Sequence, residues 1–240
     1  MTPDPQLAGF LGVRKDNEQA ILFLPRFTGT VKLDSQGSGG VSLRYPGHTF
    51  SDRDTRAAFY AQALLGSVFD PSRIRIENAS GTDSSHIDAL GAKTVFLFGS
   101  RSNPLTQWAL ENRAPAGFLE LKYGPNWTIR ARDGQSFSAP DPSQVNENDY
   151  RSHPDYGVLA RFFDPHAEMT FFVLAGLGGG ATEGCGHYLA ANWLTLLEEF
   201  AERDFAVILK FSPPVEPGNY QRVAHYTSEA RKADEAEATA

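Results

Sequence analysis

The chain has 240 residues, 41% hydrophobic and 21% charged, with a formal net charge of -7; this is long enough for one large globular domain and excludes wholesale disorder. The acidic balance argues against sequence-independent binding of duplex nucleic acid, which needs clustered Lys and Arg. A lone cysteine, Cys185, leaves no internal disulfide and no multi-cysteine zinc site, and with no signal peptide or membrane span readable the expected home is the cytoplasm.

In outline, residues 1–19 read as an N-terminal lead, 20–212 as a single α/β domain and 213–240 as a polar C-terminal tail. Ala20 to Leu24 is a short apolar run; Thr28 to Leu33 and Val41 to Leu43 predict a hairpin whose tip is the glycine-rich link Asp34 to Gly40. That link lacks the G-K-[ST] ending of a phosphate loop. Ser51 or Asp52 caps a predicted helix through Leu65, stopped by Gly66. Arg73 to Glu77 alternates, and a short helix from Asp83 to Leu90 leads into the apolar strand Lys93 to Phe98. The order strand, helix, strand, helix, strand predicts parallel pairing with helices on the sheet faces.

After a helix over Pro104 to Asn112 the pattern turns to short β runs: Gly117 to Tyr123, Trp127 to Ala131 and Gln135 to Ser138, the last two joined at Asp133-Gly134. Ala139 to Pro154 predicts a surface loop, either a plain connector or a cover for a crevice. Val158 to Phe163 and Met169 to Ala175 predict adjacent hairpin strands, the second of them central. A helix from Glu183 to Glu202 and a buried strand from Phe205 to Phe211 follow, and the chain from Tyr220 onward reads as disordered or marginally helical.

Two strand-to-glycine-to-helix junctions carry the functional expectation, because such junctions aim free N–H groups and a positive helix end at one sheet edge. At the first, Gly99 permits a tight turn, Ser100, Ser102 and Asn103 offer ligand contacts, and Ser102 or Asn103 caps the helix that Pro104 opens. At the second, six of the eleven positions 176–186 are glycine; Gly176, Gly178, Gly179, Gly180 and Thr182 are the ligand candidates, with close helix packing as the alternative. Glu183 in the next turn is a candidate catalytic carboxylate or a complement to the helix dipole, and His187 a candidate acid or base. Arg101, Arg130, Arg132 and Arg161 are possible cations for a small anion. The histidines lack metal-ligand spacing, so no metal is expected, and no cofactor is named by the pattern.

The segments VFLFGSRSNPLT (95–106), DYGVLARFF (155–163) and FFVLAGLGGGATEGCG (171–186) resemble a bacterial group of Rossmann-like domains of unassigned function. More distantly, the strand, Gly-rich turn and helix-borne glutamate resemble the nucleoside deoxyribosyltransferase-like and TIR-like superfamily. Gly179 and Glu183 match its G-x-x-x-E pattern, while the preceding aspartate is missing. The resemblance implies a Rossmann-like three-layer sandwich, a mixed sheet with parallel central strands and a β-hairpin element, and a nucleotide or other small phosphorylated ligand. Three functions stay open: a nucleotide-binding sensor or accessory module, an N-glycosidase or NAD-consuming hydrolase using Glu183, and a scaffold for a protein partner with a degenerate crevice.

Overall fold

The computed structural model describes residues 4–13, 18–27, 30–33, 41–44, 49–79, 82, 84–141, 144–201 and 203–228. The link Asp34 to Gly40, His48, Asp83 and residues 229–240 lie outside them. The N-terminal half runs α1 (Pro5–Leu11), β1 (Ala20–Leu24), β2 (Arg26–Phe27), β3 (Thr30–Leu33), β4 (Val41–Arg44), β5 (Thr49–Phe50), α2 (Asp52–Leu65), β6 (Ile74–Asn78), α3 (Ser84–Ala89), β7 (Thr94–Phe98) and α4 (Pro104–Asn112). Then come β8 (Leu119–Tyr123), β9 (Asn126–Ala131), β10 (Ser136–Pro140), α5 (Glu147–Ser152), β11 (Asp155–Asp164), β12 (Met169–Gly176), α6 (Gly179–Phe200), β13 (Phe205–Phe211) and β14 (Tyr220–Thr227).

The main sheet has seven strands in the order β14-β13-β11-β12-β7-β1-β6. Strands β6, β1, β7 and β12 run parallel to one another, while β11 runs antiparallel to both β12 and β13. Every residue of β1, β7 and β12 is buried, the continuous apolar pattern of strands covered on both faces. Helices α1, α2 and α6 pack around Phe96, Phe98 and Phe172 on one face. On the other, α3, α4 and the small sheet β10-β9-β8 cover Val95, Leu97 and Phe171. The result is a three-layer α/β arrangement with a mixed sheet. From β1 the chain passes through α2 to β6 on one side, then through α3 to β7 on the other, so the connection reverses beside β1.

The predicted helices over 52–65 and 104–112 form over those residues, each opened by the expected cap: Ser51 Oγ accepts from Asp54 N, and Asn103 Oδ1 accepts from Leu105 N. The hairpin of β3 and β4 also forms, as does the β11–β12 hairpin with β12 in the middle of the sheet.

Four expectations are corrected. The N-terminal lead contains α1, whose Leu7, Phe10 and Leu11 are core residues; Arg161 Nε donates to Phe10 O at 2.8 Å and its guanidinium lies over the Phe10 ring. The predicted loop 139–154 carries the end of β10 and helix α5. The tail contains β14, paired antiparallel to β13 along its length and fastened by Arg222 to Glu199 at 2.5 and 2.6 Å. It is polar because it is an edge strand, not because it is unstructured. Finally, α6 starts at Gly179 rather than Glu183 and ends at Phe200, so four of the six glycines in the run lie in the helix. No helix among the described residues is long and apolar enough to cross a membrane.

Candidate functional site

The two junctions meet at the carboxyl ends of β7 and β12, where Ser100 Oγ donates to Gly176 O at 2.6 Å and ties one to the other. Gly99 sits at φ 80, the left-handed turn anticipated for it. Asn103 is fully buried. Its amide donates to Phe23 O at 3.2 Å and Phe98 O at 2.9 Å, closing the gap between β1 and β7 where the connection reverses. Open α/β sheets commonly take ligands at that gap. Here it is filled, and the opening is displaced one strand over.

That opening is a crevice of about 500 Å³ bounded by the 99–102 loop, by Gly176 to Gly179 and Thr182, by Ser51 and Asp54 of α2, and by Trp127 of β9. Gly99, Ser100, Ser102, Gly176, Gly178, Gly179 and Thr182 are therefore brought together, and Asn103 lies beneath them as structure. Among the described residues the N–H groups of Ser100, Arg101 and Ser102 make no hydrogen bond within the chain. Successive free N–H groups after a left-handed residue form a concavity that accepts anions.

The acid of this crevice is Asp54, a residue the sequence places only in a helix's first turn. It is buried, 3.4 Å from where a Cβ at residue 99 would stand, and no cation pairs with it among the described residues. Burial pushes its carboxyl up to about 6, partly opposed by the Ser51 hydroxyl. Facing it, Trp127 carries Arg101 over its ring at 5.4 Å and packs edge-on with Tyr123. Trp127 Nε1 and Tyr123 Oη are both buried without a hydrogen-bond partner among the described residues. Burial raises the Tyr123 phenol to about 12, against the pull of the adjacent Ser100 hydroxyl, whose own proton goes to Gly176 O.

At the second junction the positive end of α6 is partly occupied. The Asp155 carboxylate accepts from Gly178 N at 2.9 Å and Ala181 N at 3.2 Å, and also from Tyr156 N at 2.8 Å. Its burial is deep enough to lift the carboxyl to about 6 despite those donors. The glycines mostly serve packing. A Cβ at Gly176 would strike Gly178 O and Thr182 N, one at Gly184 the Phe211 ring, one at Gly186 the Ala57 backbone at 2.8 Å, and one at Gly180 Val215 Cγ1 at 2.6 Å. Thr182 Oγ1 accepts from Gly176 N at 2.9 Å, so this hydroxyl too is committed to the fold.

Beyond Gly179 lies a second chamber of about 300 Å³, bounded by Arg53, Arg151, His153, Asp155, Gly179 and Gly180 together with proline and apolar residues.

The two residues expected to be catalytic line neither space. Glu183 is buried, bonded to Arg53 and 3.7 Å from Arg56, bracing α6 against α2. His187 lies edge-on to Tyr60 at 5.3 Å and near Tyr220, with Nδ1 buried and unpartnered. Cys185 is fully buried behind Gly157 and burial raises its thiol, so it is packing rather than nucleophile. Of the arginines singled out from sequence, Arg101 reaches the crevice, whereas Arg161 is spent on backbone carbonyls. Among the described residues no three His, Cys, Asp or Glu side chains converge as a metal site.

No protein-family model matches the chain, and no curated protein matches it significantly.

Proposed function

We propose that the protein is a nucleotide-binding module with a Rossmann-like architecture, acting as a sensor or accessory unit. The observation that carries this reading is the convergence of both junctions on one crevice of about 500 Å³ whose loop donors at residues 100–102 are unengaged. The volume falls within the roughly 300–1,000 Å³ of small-molecule sites. Free N–H groups suit a phosphate, the Trp127 indole beside Arg101 suits a base, and the uncompensated Asp54 carboxylate suits ribose hydroxyls. A ligand at 100 times its dissociation constant stabilises a fold by about 2.7 kcal/mol. A thermal-shift panel of nucleosides, nucleotides and NAD is therefore expected to give a clear rise for one class, and a flat panel would instead favour a scaffold role.

Cleavage of an N-glycosidic bond is the second reading, favoured by one observation: a buried acid held near pH 6 faces the crevice. That acid is Asp54, not Glu183. Turnover that survives Glu183→Gln and is lost in Asp54→Asn, with ligand binding retained, is the result this reading requires.

A further inference from the structure

The smaller chamber beyond Gly179 has a chemistry distinct from the crevice. Arg53, Arg151 and His153 line it, and so does the first turn of α6. Of the N–H groups at the start of α6, Asp155 engages those of Gly178 and Ala181; those of Gly179 and Gly180 make no bond among the described residues. Helix α6 has 22 residues and a cap position, Gly178, with no side-chain cap. Its positive end therefore still has donors to give. Arg53 is held to Glu183 through one guanidinium nitrogen, and its side chain remains 45% exposed. The carboxylate here, Asp155, has its charge met by three backbone N–H groups from below. Planar guanidinium forks and free N–H groups are the donors that phosphoryl oxygens take.

The two spaces share a residue without a side chain: Gly179 lines both.

We infer that this chamber receives a second phosphoryl group of the ligand bound in the crevice, so that the preferred ligand is a nucleoside diphosphate or diphosphate ester rather than a monophosphate. The inference rests on the nucleotide reading of the crevice and adds to it the ligand's charge and length. It also gives the 139–154 segment a purpose, since Arg151 and His153 come from α5 and the residues that follow it.

The test measures dissociation constants for adenosine, guanosine, cytidine and uridine mono- and diphosphates by calorimetry in metal-free buffer. For the base that binds, the diphosphate is expected to bind at least tenfold more tightly than the monophosphate. In the double variant Arg151→Gln/His153→Gln that preference should fall to within twofold, while monophosphate affinity and melting temperature stay at wild-type values. Both side chains are exposed, so the fold tolerates their replacement. Equal affinity for mono- and diphosphates in the wild type overturns this inference alone, as does a tenfold preference that persists in the double variant. Failure of every nucleotide to bind overturns it together with the reading of the crevice.

Discussion

At the end of β7 one glycine turns the chain, and the N–H groups of residues 100–102 find no partner among the described residues. At the end of β12 four of the five residues 176–180 are glycine, yet an internal carboxylate, Asp155, takes the donors of Gly178 and Ala181. The glycine-poor junction is the more open of the two. Glycine density here reports how closely α6 lies on α2 and on β13: Gly186 meets Ala57, and Gly184 faces the Phe211 ring. Vacancy for a ligand is reported by polar groups that the fold has not used.

The contrast can be tested through five substitutions. The largest effect is expected for Asn103→Ala, which orphans Phe23 O, Phe98 O and Leu105 N in a fully buried position. At about 1–3 kcal/mol per unsatisfied group, the loss should reach about 4 kcal/mol in urea denaturation. A loss below about 1 kcal/mol would mean that Asn103 does not close the β1–β7 gap.

Asp54→Asn should move stability the other way. Its carboxyl titrates near 6 in the folded protein against an ordinary 3.8, so the folded state holds the proton more tightly than the unfolded chain. The stability this group contributes is complete below about pH 4 and lost as pH rises through 6, an amount of roughly 3 kcal/mol. The variant should thus be more stable than wild type by roughly that amount at pH 7.5, with the gain vanishing near pH 4, and it should bind ligand more weakly. Denaturation curves at both pH values decide this; no gain at pH 7.5 would show that water or a partner already compensates the charge.

Gly184→Ala and Gly179→Ala separate packing glycines from an open one. The first drives a methyl into the Phe211 ring and should cost about 2 kcal/mol after the helix-propensity gain. The second meets only the flexible Arg53 stem at 3.2 Å, and its melting temperature should equal or exceed wild type. Equal losses at the two sites would remove the distinction. The smallest loss belongs to Glu183→Gln: both arginine partners are about half exposed, so water replaces the lost ion pair at about 1 kcal/mol. Ligand affinity should stay within twofold of wild type.

Much of the frame is legible in the sequence because its signals are local. Continuous apolar runs mark β1, β7 and β12, and Asn103-Pro104 marks the start of α4. What escapes is made by pairs distant in the chain. Asp155 meets Ala181 across 26 residues, and no local pattern announces that a strand's first residue will fill a helix end. Asp54 carries no such signal, since the small strands β2 to β5 separate its helix from β1 and dipole complementarity already explains a first-turn acid. Glu183 has every local mark of a catalytic acid; only the tertiary placement of Arg53 and Arg56 turns it into a brace. The strand β14 is missed because its burial is partial throughout, leaving no apolar face to read.

The docking of α1 has a consequence for how the chain is made. Its Phe10 rests on Phe172, Trp193 and Phe205, and its carbonyl is held by Arg161, 151 residues later. Helix α1 thus has no surface to bury against until β13, far along the chain, has been synthesised, and β13 remains an open sheet edge until β14 follows it. Folding of this domain is to be expected as a cooperative event that waits for β13 and β14 to be synthesised, with the exposed Phe10 helix and the β13 edge as the places where a chaperone is needed in the interval.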